Sequence, residues 1–189
     1  MTGGALLISS SEKGRLALRA LLEEVRLPSI ETAASGSEAR RLLTNRPFSL
    51  VVVNAPLSGE NGSELALFAA STLGLASILL VRQEELDGAA ASMGDSGVLA
   101  LGKPINGQTF LQAVRLAQAA HAKIAALQEE NRRLLGLLEE QRLVNRAKWL
   151  LIENKGLTEP QAHHFIEKQA MDQRITKRQA AQDILDLYI

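Results

Sequence analysis

The sequence predicts an α/β fold with a doubly wound, five-stranded parallel sheet, followed by a long coiled-coil helix and an all-α module of three helices. Three observations predict it. Five short apolar runs alternate with helical patterns before residue 120. The stretch 110–145 contains no proline. Two short amphipathic segments then follow, each preceded by a residue type that begins helices.

The apolar runs have the length and composition of buried strands. They lie at residues 5–8, 29–33, 50–53, 77–81 and 98–101. Helical patterns separate them, at 13–25 and after Ser37, which we expect to cap the second helix. Strands that alternate with helices form right-handed crossovers and give a parallel sheet covered on both faces. The stretch 65–81 carries no charge, but Gly74 divides it into a helix and a strand, so we reject a membrane span.

Ligands of doubly wound folds bind at the carboxyl ends of the strands. Lys103 and Pro104 follow the fifth predicted strand, and the segment 54–62, with Gly59 and Gly62, follows the third. In these residues the chain resembles the receiver domain of bacterial response regulators. The resemblance implies an aspartate that accepts phosphate after the third strand, and an acidic pair after the first that holds Mg²⁺.

Other residue types occupy the positions that this resemblance marks. Asn54 stands at the phosphorylated position, Ser9 and Ser10 at the acidic pair, and Val81 at the position of a signalling hydroxyl. An amide is no nucleophile for phosphoryl transfer, and neutral hydroxyls hold Mg²⁺ poorly. We therefore expect a pseudo-receiver, in which Lys103 bonds a carbonyl or Asn54. The alternative is that Asn54, the three serines at 9–11 and Lys103 bind an anion or a small effector.

A heptad repeat over residues 110–145 predicts a coiled coil. Its a and d positions are most apolar between Ile124 and Leu138, and Asn131 at an a position favours a parallel pair in fixed register. The alternative is one long helix that packs on its own chain. The predicted dimer interface consists of Ile124, Leu127, Asn131, Leu134 and Leu138.

The end of the chain predicts two short helices that fold back on the long one. Asn154 and Gly156 end the long helix, Thr158 begins the next with a near capping box, and Thr176 begins the last. The side chains expected in the core are Trp149, Leu150, Ile152, Ala162, Phe165, Ile166, Ala170, Ala180, Ala181, Ile184, Leu185 and Tyr188.

Residues 147–185 resemble the ANTAR family, an RNA-binding module of bacterial antiterminators. The resemblance implies a protein that binds paired hairpins in nascent leader RNA and prevents a terminator from forming. A generic helical hairpin is the alternative. The resemblance is carried by Ala147, Lys148, Leu150, Leu151, Gly156, Leu157, Thr158, Glu159, Ala162, Ala170, Met171, Arg174, Ala181 and Ile184.

Basic side chains concentrate in this part of the chain. Between Arg142 and Arg178 they outnumber the acidic ones by eight to four, whereas the whole chain carries 21 of each. Such asymmetry is typical of a nucleic-acid-binding end. His163 and His164 are adjacent and cannot ligate one metal as an i, i+4 pair does, so we expect no metal site. The residues predicted to bind RNA are Arg146, Lys148, Lys168, Arg174, Lys177 and Arg178.

These patterns predict a dimeric RNA-binding antiterminator with a receiver-like domain (1–119), a coiled-coil connector (120–145) and an ANTAR-like domain (146–189). We expect no enzyme activity and no cofactor, because the sequence has neither a phosphate loop nor a Gly-x-Ser-x-Gly elbow. The lack of cysteine and of a signal peptide predicts the cytoplasm. We expect a sensor or sequestering protein to control the dimer. The alternatives are a DNA-binding regulator and a protein-interaction scaffold.

Overall fold

The computed structural model describes residues 3–188. Its strands are β1 (Gly4–Ser9), β2 (Ile30–Ala33), β3 (Phe48–Asn54), β4 (Ala76–Arg82) and β5 (Val98–Lys103). They pair in parallel in the order β2-β1-β3-β4-β5. This confirms the predicted doubly wound sheet. The strand order reverses between β1 and β3, so the carboxyl ends of these two strands border the place where such sheets bind ligands.

Helices cover both faces of the sheet. Side chains of a strand alternate between its faces, so apolar strands such as these form one core on each face. Leu6, Ile8 and Val53 lie in one apolar core, and Leu7 and Val52 lie in the other. A single helix predicted within the uncharged stretch instead consists of a short helix and a π-helical turn, Phe68–Thr72. The helices of this part are α1 (Glu12–Glu23), α2 (Gly36–Asn45), α3 (Ser63–Leu67), α4 (Leu86–Met93) and the start of α5 (Gly107–Lys155).

The N-cap of α2 is Ser35, so the prediction of Ser37 was wrong. Ser35 has extended backbone angles, and its hydroxyl accepts a hydrogen bond from the N–H of Glu38 at 3.3 Å. Gly36 is already helical, which places Ser37 inside the first turn. Ser35 and Ser37 are equally good caps by residue type, and only the backbone angles identify which of them begins the helix.

Helix α5 is continuous from Gly107 to Lys155, which confirms the long helix. Its first turns contribute Phe110 and Val114 to the core on one face of the sheet. Beyond them, the large apolar side chains of the predicted seam are about half exposed. The chain divides into two compact units within α5, between Ala125 and Ala126. The predicted boundaries after residues 119 and 145 stay a prediction.

The C-terminal unit adds α6 (Glu159–Gln173) and α7 (Lys177–Tyr188) to the end of α5. Gly156, with a φ of 65°, ends α5 as predicted. The N–H of Thr158 donates to the side-chain oxygen of Gln161 at 2.9 Å, and the hydroxyl of Thr176 caps α7. The core of this unit consists of Ala147, Leu151, Ala162, Ile166, Ala170, Ala180, Ala181, Ile184 and Leu185.

Two aromatic side chains predicted in this core are exposed. Trp149 is 66% exposed, because α5 presents Ala147 and Leu151 to the other helices and Trp149 points elsewhere. Phe165 is 36% exposed, and the ammonium of Lys155 lies 4.5 Å from its ring centre. In the part of the chain that the structure describes, no helix is long and apolar enough to cross a bilayer.

Candidate nucleic-acid interface and the strand-end site

Three polar side chains at the strand ends form one chain of hydrogen bonds. Asn54 ends β3 and pairs in register with Ser9, which ends β1. The amide nitrogen of Asn54 donates to the Ser9 hydroxyl at 2.9 Å. The ammonium of Lys103, at the end of β5, donates to the amide oxygen of Asn54 at 3.2 Å and also to the carbonyl of Ala55. Both partners expected for Lys103 are therefore present.

The neighbouring groups at this edge are also engaged with one another. The N–H of Ser58 donates to the Ser10 hydroxyl at 2.6 Å, and the guanidinium of Arg15 donates to the Ser9 carbonyl at 2.6 Å. Packing is tight, since a Cβ on Gly14 would lie 2.9 Å from the Asn54 amide nitrogen and 3.0 Å from the Ser9 hydroxyl. The polar atoms of this edge are thus satisfied by one another.

The charges at this edge do not suit a divalent cation. Lys103 and Arg15 both direct positive charge at it, whereas Ser9, Ser10 and Asn54 are neutral. Burial lowers the pKa of the Lys103 ammonium. Val81 is buried and carries no hydroxyl. Among residues 3–188, no group of three or more acidic or histidine side chains is placed to hold a metal ion.

The six basic residues predicted to bind RNA all lie in the C-terminal unit, and three of them form ion pairs. Lys148 contacts Glu159 at 2.6 Å, and its side chain is only 16% exposed. Lys177 contacts Glu167 at 2.6 Å. The hydrogen bonds from Lys148 and Lys177 lower the pKa of Glu159 and of Glu167. The third pair joins Arg178 on α7 to Glu139 on α5, at 3.2 Å.

The other three cations are exposed on separate elements of the unit. Arg146 lies on α5, Lys168 lies on α6, and Arg174 follows α6 directly. Within the described part of the chain, none of the three forms an ion pair. Cations that no carboxylate neutralises are available to phosphates, whereas a paired lysine must first give up its partner.

Arg174 has a backbone conformation that arginine rarely adopts. It is left-handed, with φ 55° and ψ 39°, and its N–H donates to the carbonyl of Met171 at 3.2 Å. The N–H of Ile175 donates to the carbonyl of Ala170 at 3.0 Å. These two bonds form a Schellman motif, in which glycine is the usual left-handed residue. A bulky cation therefore occupies a position where the backbone favours glycine.

Sequence reasoning missed this conformation and the exposure of Trp149. The sequence did contain a signal for the left-handed residue, since the short connection 173–176 between two helices has no glycine or asparagine. One of its residues had to adopt the left-handed conformation. The exposure of Trp149 depends on which face of α5 is covered by α6 and α7, and the periodicity of α5 does not determine that face.

Comparison with known proteins supports both predicted resemblances, to the ANTAR family and to receiver domains. Residues 132–185 match the ANTAR domain. The chain is 31% identical over 173 residues to the transcriptional regulatory protein PdtaR of Mycobacterium tuberculosis, an alignment that covers 91% of this chain and 84% of PdtaR.

Several of the solved structures that resemble the chain are receiver domains. A response regulator receiver domain protein from Clostridium thermocellum aligns with a TM-score of 0.57 and 22% identity, over 65% of this chain and 98% of that one. The signal receiver domain of an HD domain-containing protein from Pseudomonas fluorescens aligns with a TM-score of 0.57 and 25% identity, over 67% and 94%. These likenesses establish the receiver fold of the N-terminal part.

Proposed function

This chain belongs to the ANTAR family of regulators, and on that premise we propose that it is an RNA-binding transcription antiterminator. In this proposal, a dimer binds paired hairpins in nascent leader RNA and prevents the terminator from forming. The observation that carries the proposal is the coincidence of the ANTAR match, 132–185, with a three-helix unit that exposes cations on each of its elements.

Electrostatics supports RNA as the ligand. Arg146, Lys168 and Arg174 are exposed, and the segment from Arg142 to Arg178 has twice as many basic as acidic side chains. Neutralising phosphates releases counterions, so the affinity must fall steeply as salt rises. We propose that these three residues make the first contacts, and that Lys148, Lys177 and Arg178 contribute after exchanging their carboxylate partners for phosphate.

The conformation of Arg174 supports a functional role for that residue. Left-handed backbone is unfavourable for any residue with a Cβ, and residues held in it concentrate at binding sites. Glycine at this position would satisfy the Schellman motif at lower energy. We therefore propose that the guanidinium of Arg174 binds RNA, and that arginine at this position lowers the free energy of unfolding relative to glycine.

We propose that the receiver-like domain takes part without phosphorylation. Asn54 is an amide, and its two polar atoms are engaged by Lys103 and Ser9. Control then comes from a sensor or sequestering protein that binds the chain. The half-exposed stripe of Ile124, Leu127, Asn131, Leu134 and Leu138 forms a parallel coiled coil with a second copy. Two linked modules raise the affinity for paired hairpins without new contacts.

The direct test is crosslinking of the protein to RNA in its host, followed by sequencing of the bound RNA. We expect leader transcripts with paired hairpins upstream of a terminator. A transcription assay on those leaders must then show more read-through with the protein than without it. Binding to duplex DNA in preference to hairpin RNA would replace this proposal with a DNA-binding regulator. Recovery of proteins and no RNA would identify an interaction scaffold.

A further inference from the structure

Trp149 is the only tryptophan of the chain, and its side chain contributes little to the core of its own unit. It is 66% exposed, although Ala147 and Leu151, two residues to either side, are fully buried. A large aromatic side chain gains free energy when it leaves water, so a mostly exposed indole is suited to contact another molecule.

The side of α5 that carries Trp149 is positively charged. Residues seven, four and three positions before it are Arg142, Asn145 and Arg146, which helical geometry places on the same side. All three are exposed, and within the described residues neither arginine forms an ion pair. Glu153, one turn further on, adds a carboxylate. An aromatic ring beside two cations suits RNA, because bases stack on the ring while arginines contact the phosphates.

A second copy of the chain suits this surface less well. A coiled-coil seam needs apolar residues at its a and d positions. After Leu138 the next such positions are Gln141, Asn145 and Lys148, all of them polar. Lys148 is moreover held by Glu159. The apolar seam therefore ends before it reaches Trp149, and the arginines beside the indole would not be matched by carboxylates of an identical helix in register.

We propose that Trp149 is a stacking platform for an unpaired base of the bound RNA, with Arg142 and Arg146 on the adjoining phosphates. The inference rests on the proposed RNA-binding function and adds to it a site for a nucleobase. Loops of hairpins present such bases, since stacking on aromatic side chains requires a base that is free of its own helix.

The single tryptophan makes a direct experiment possible in the whole 189-residue chain. The probe is a labelled stem-loop RNA taken from the transcripts recovered by crosslinking, and its control carries abasic ribose in the loop. Anisotropy of the label reports affinity, and Trp149 emission reports stacking. The variants are Trp149→Ala, Trp149→Phe and, as a matched control, Leu187→Ala, whose side chain is 75% exposed in the same unit.

We expect the RNA to quench Trp149 emission and the abasic control to leave it unchanged. Loss of one stacked base weakens binding by about five-fold or more, so Trp149→Ala must show such a loss while Trp149→Phe and Leu187→Ala stay close to the parent protein. RNA binding with unchanged emission and an unaffected Trp149→Ala would overturn this inference and leave the proposed function standing.

Two further results would also overturn the inference. Emission that shifts with protein concentration alone, together with weaker self-association of Trp149→Ala, would assign the indole to a contact between copies. If the parent protein binds none of the recovered RNAs by anisotropy, the proposed function fails and the stacking site fails with it.

Discussion

The ammonium of Lys103 lies 3.2 Å from the side-chain oxygen of Asn54, and the side-chain nitrogen of Asn54 lies 2.9 Å from the Ser9 hydroxyl. The amide of Asn54 accepts a hydrogen bond on its oxygen and donates one from its nitrogen. An ionised carboxylate at this position could only accept hydrogen bonds. The ends of β1, β3 and β5 are thereby joined through three side chains, none of which is a carboxylate.

The first prediction is that acetyl phosphate with Mg²⁺ leaves the protein unmodified. Asn54 offers no nucleophile, and Ser9 and Ser10 offer no carboxylate to hold the metal. Intact-mass measurement checks this. The variant Asn54→Asp must also remain unmodified, because it restores the acceptor without restoring the acidic pair. A mass increase of one phosphoryl group on the parent protein would contradict the pseudo-receiver proposal.

A second prediction concerns the stability that Asn54 provides. The variant Asn54→Ala leaves the Ser9 hydroxyl and the Lys103 ammonium each short of one partner, so we expect a loss of about 1–2 kcal/mol in the free energy of unfolding. Chemical denaturation measures it.

A double-mutant cycle with Asn54→Ala and Lys103→Met tests the hydrogen bond between the two side chains. Because the two side chains are in contact, the double variant must lose less than the sum of the single losses, by at least about 0.5 kcal/mol. Asn45→Ala, an exposed asparagine in the same domain, must stay within about 0.5 kcal/mol of the parent protein. Strict additivity would show that the Lys103–Asn54 bond contributes nothing.

A third prediction separates stability from binding at Arg174. Glycine adopts left-handed backbone freely, so Arg174→Gly must raise the melting temperature by about 2–4 °C, which corresponds to about 1 kcal/mol. The same change removes a cation, so the RNA affinity must fall and the slope of log affinity against log salt must decrease by about one. Circular dichroism and filter binding check the two effects.

Arg174→Ala is the matched control, because alanine keeps the unfavourable backbone and loses the charge. It must weaken RNA binding as Arg174→Gly does, without the gain in melting temperature. Affinity that survives both changes would remove Arg174 from the RNA-binding surface.

The fourth prediction addresses the seam of α5. Leu134 and Leu138 are about half exposed in the single chain, and a second helix would bury them. A charge in such a seam is strongly unfavourable, so Leu134→Asp or Leu138→Asp must sediment as a monomer where the parent protein is expected to be a dimer. Leu187→Asp, at an exposed apolar site of α7 outside the seam, must remain dimeric. A parent protein that sediments as a monomer at micromolar concentration contradicts the coiled coil.

The sequence was sufficient for the sheet, since the largely β-branched run of 50–53 and the other short apolar runs alternate with helical patterns, as the strands of a parallel sheet do. It also identified the end of α5 at Gly156 and the start of α6 at Thr158, because both signals are local. It did not determine which side of α5 is covered. Leucines and alanines occur around much of that helix, and the choice of Ala147 over Trp149 is made by the packing of α6 and α7, which the pattern within α5 does not specify.

The ion pairs of the candidate interface could not be predicted from the sequence either. Lys148 and Glu159 are eleven residues apart across a turn, and Arg178 meets Glu139 from another helix. Charge counting treats all cations as equivalent, whereas their partners depend on the packing of three helices. Ser35 and Ser37 illustrate the same limit at short range, because both are good caps and the backbone uses one.

The most direct measurement of the central claim is sedimentation of the full-length protein with a leader RNA that carries two hairpins. We expect a complex of two chains with one RNA, which dissociates as salt rises. A variant of Leu138→Asp must bind the same RNA more weakly, because its modules are no longer linked. A monomer that leaves hairpin RNA unbound at low salt would contradict the account.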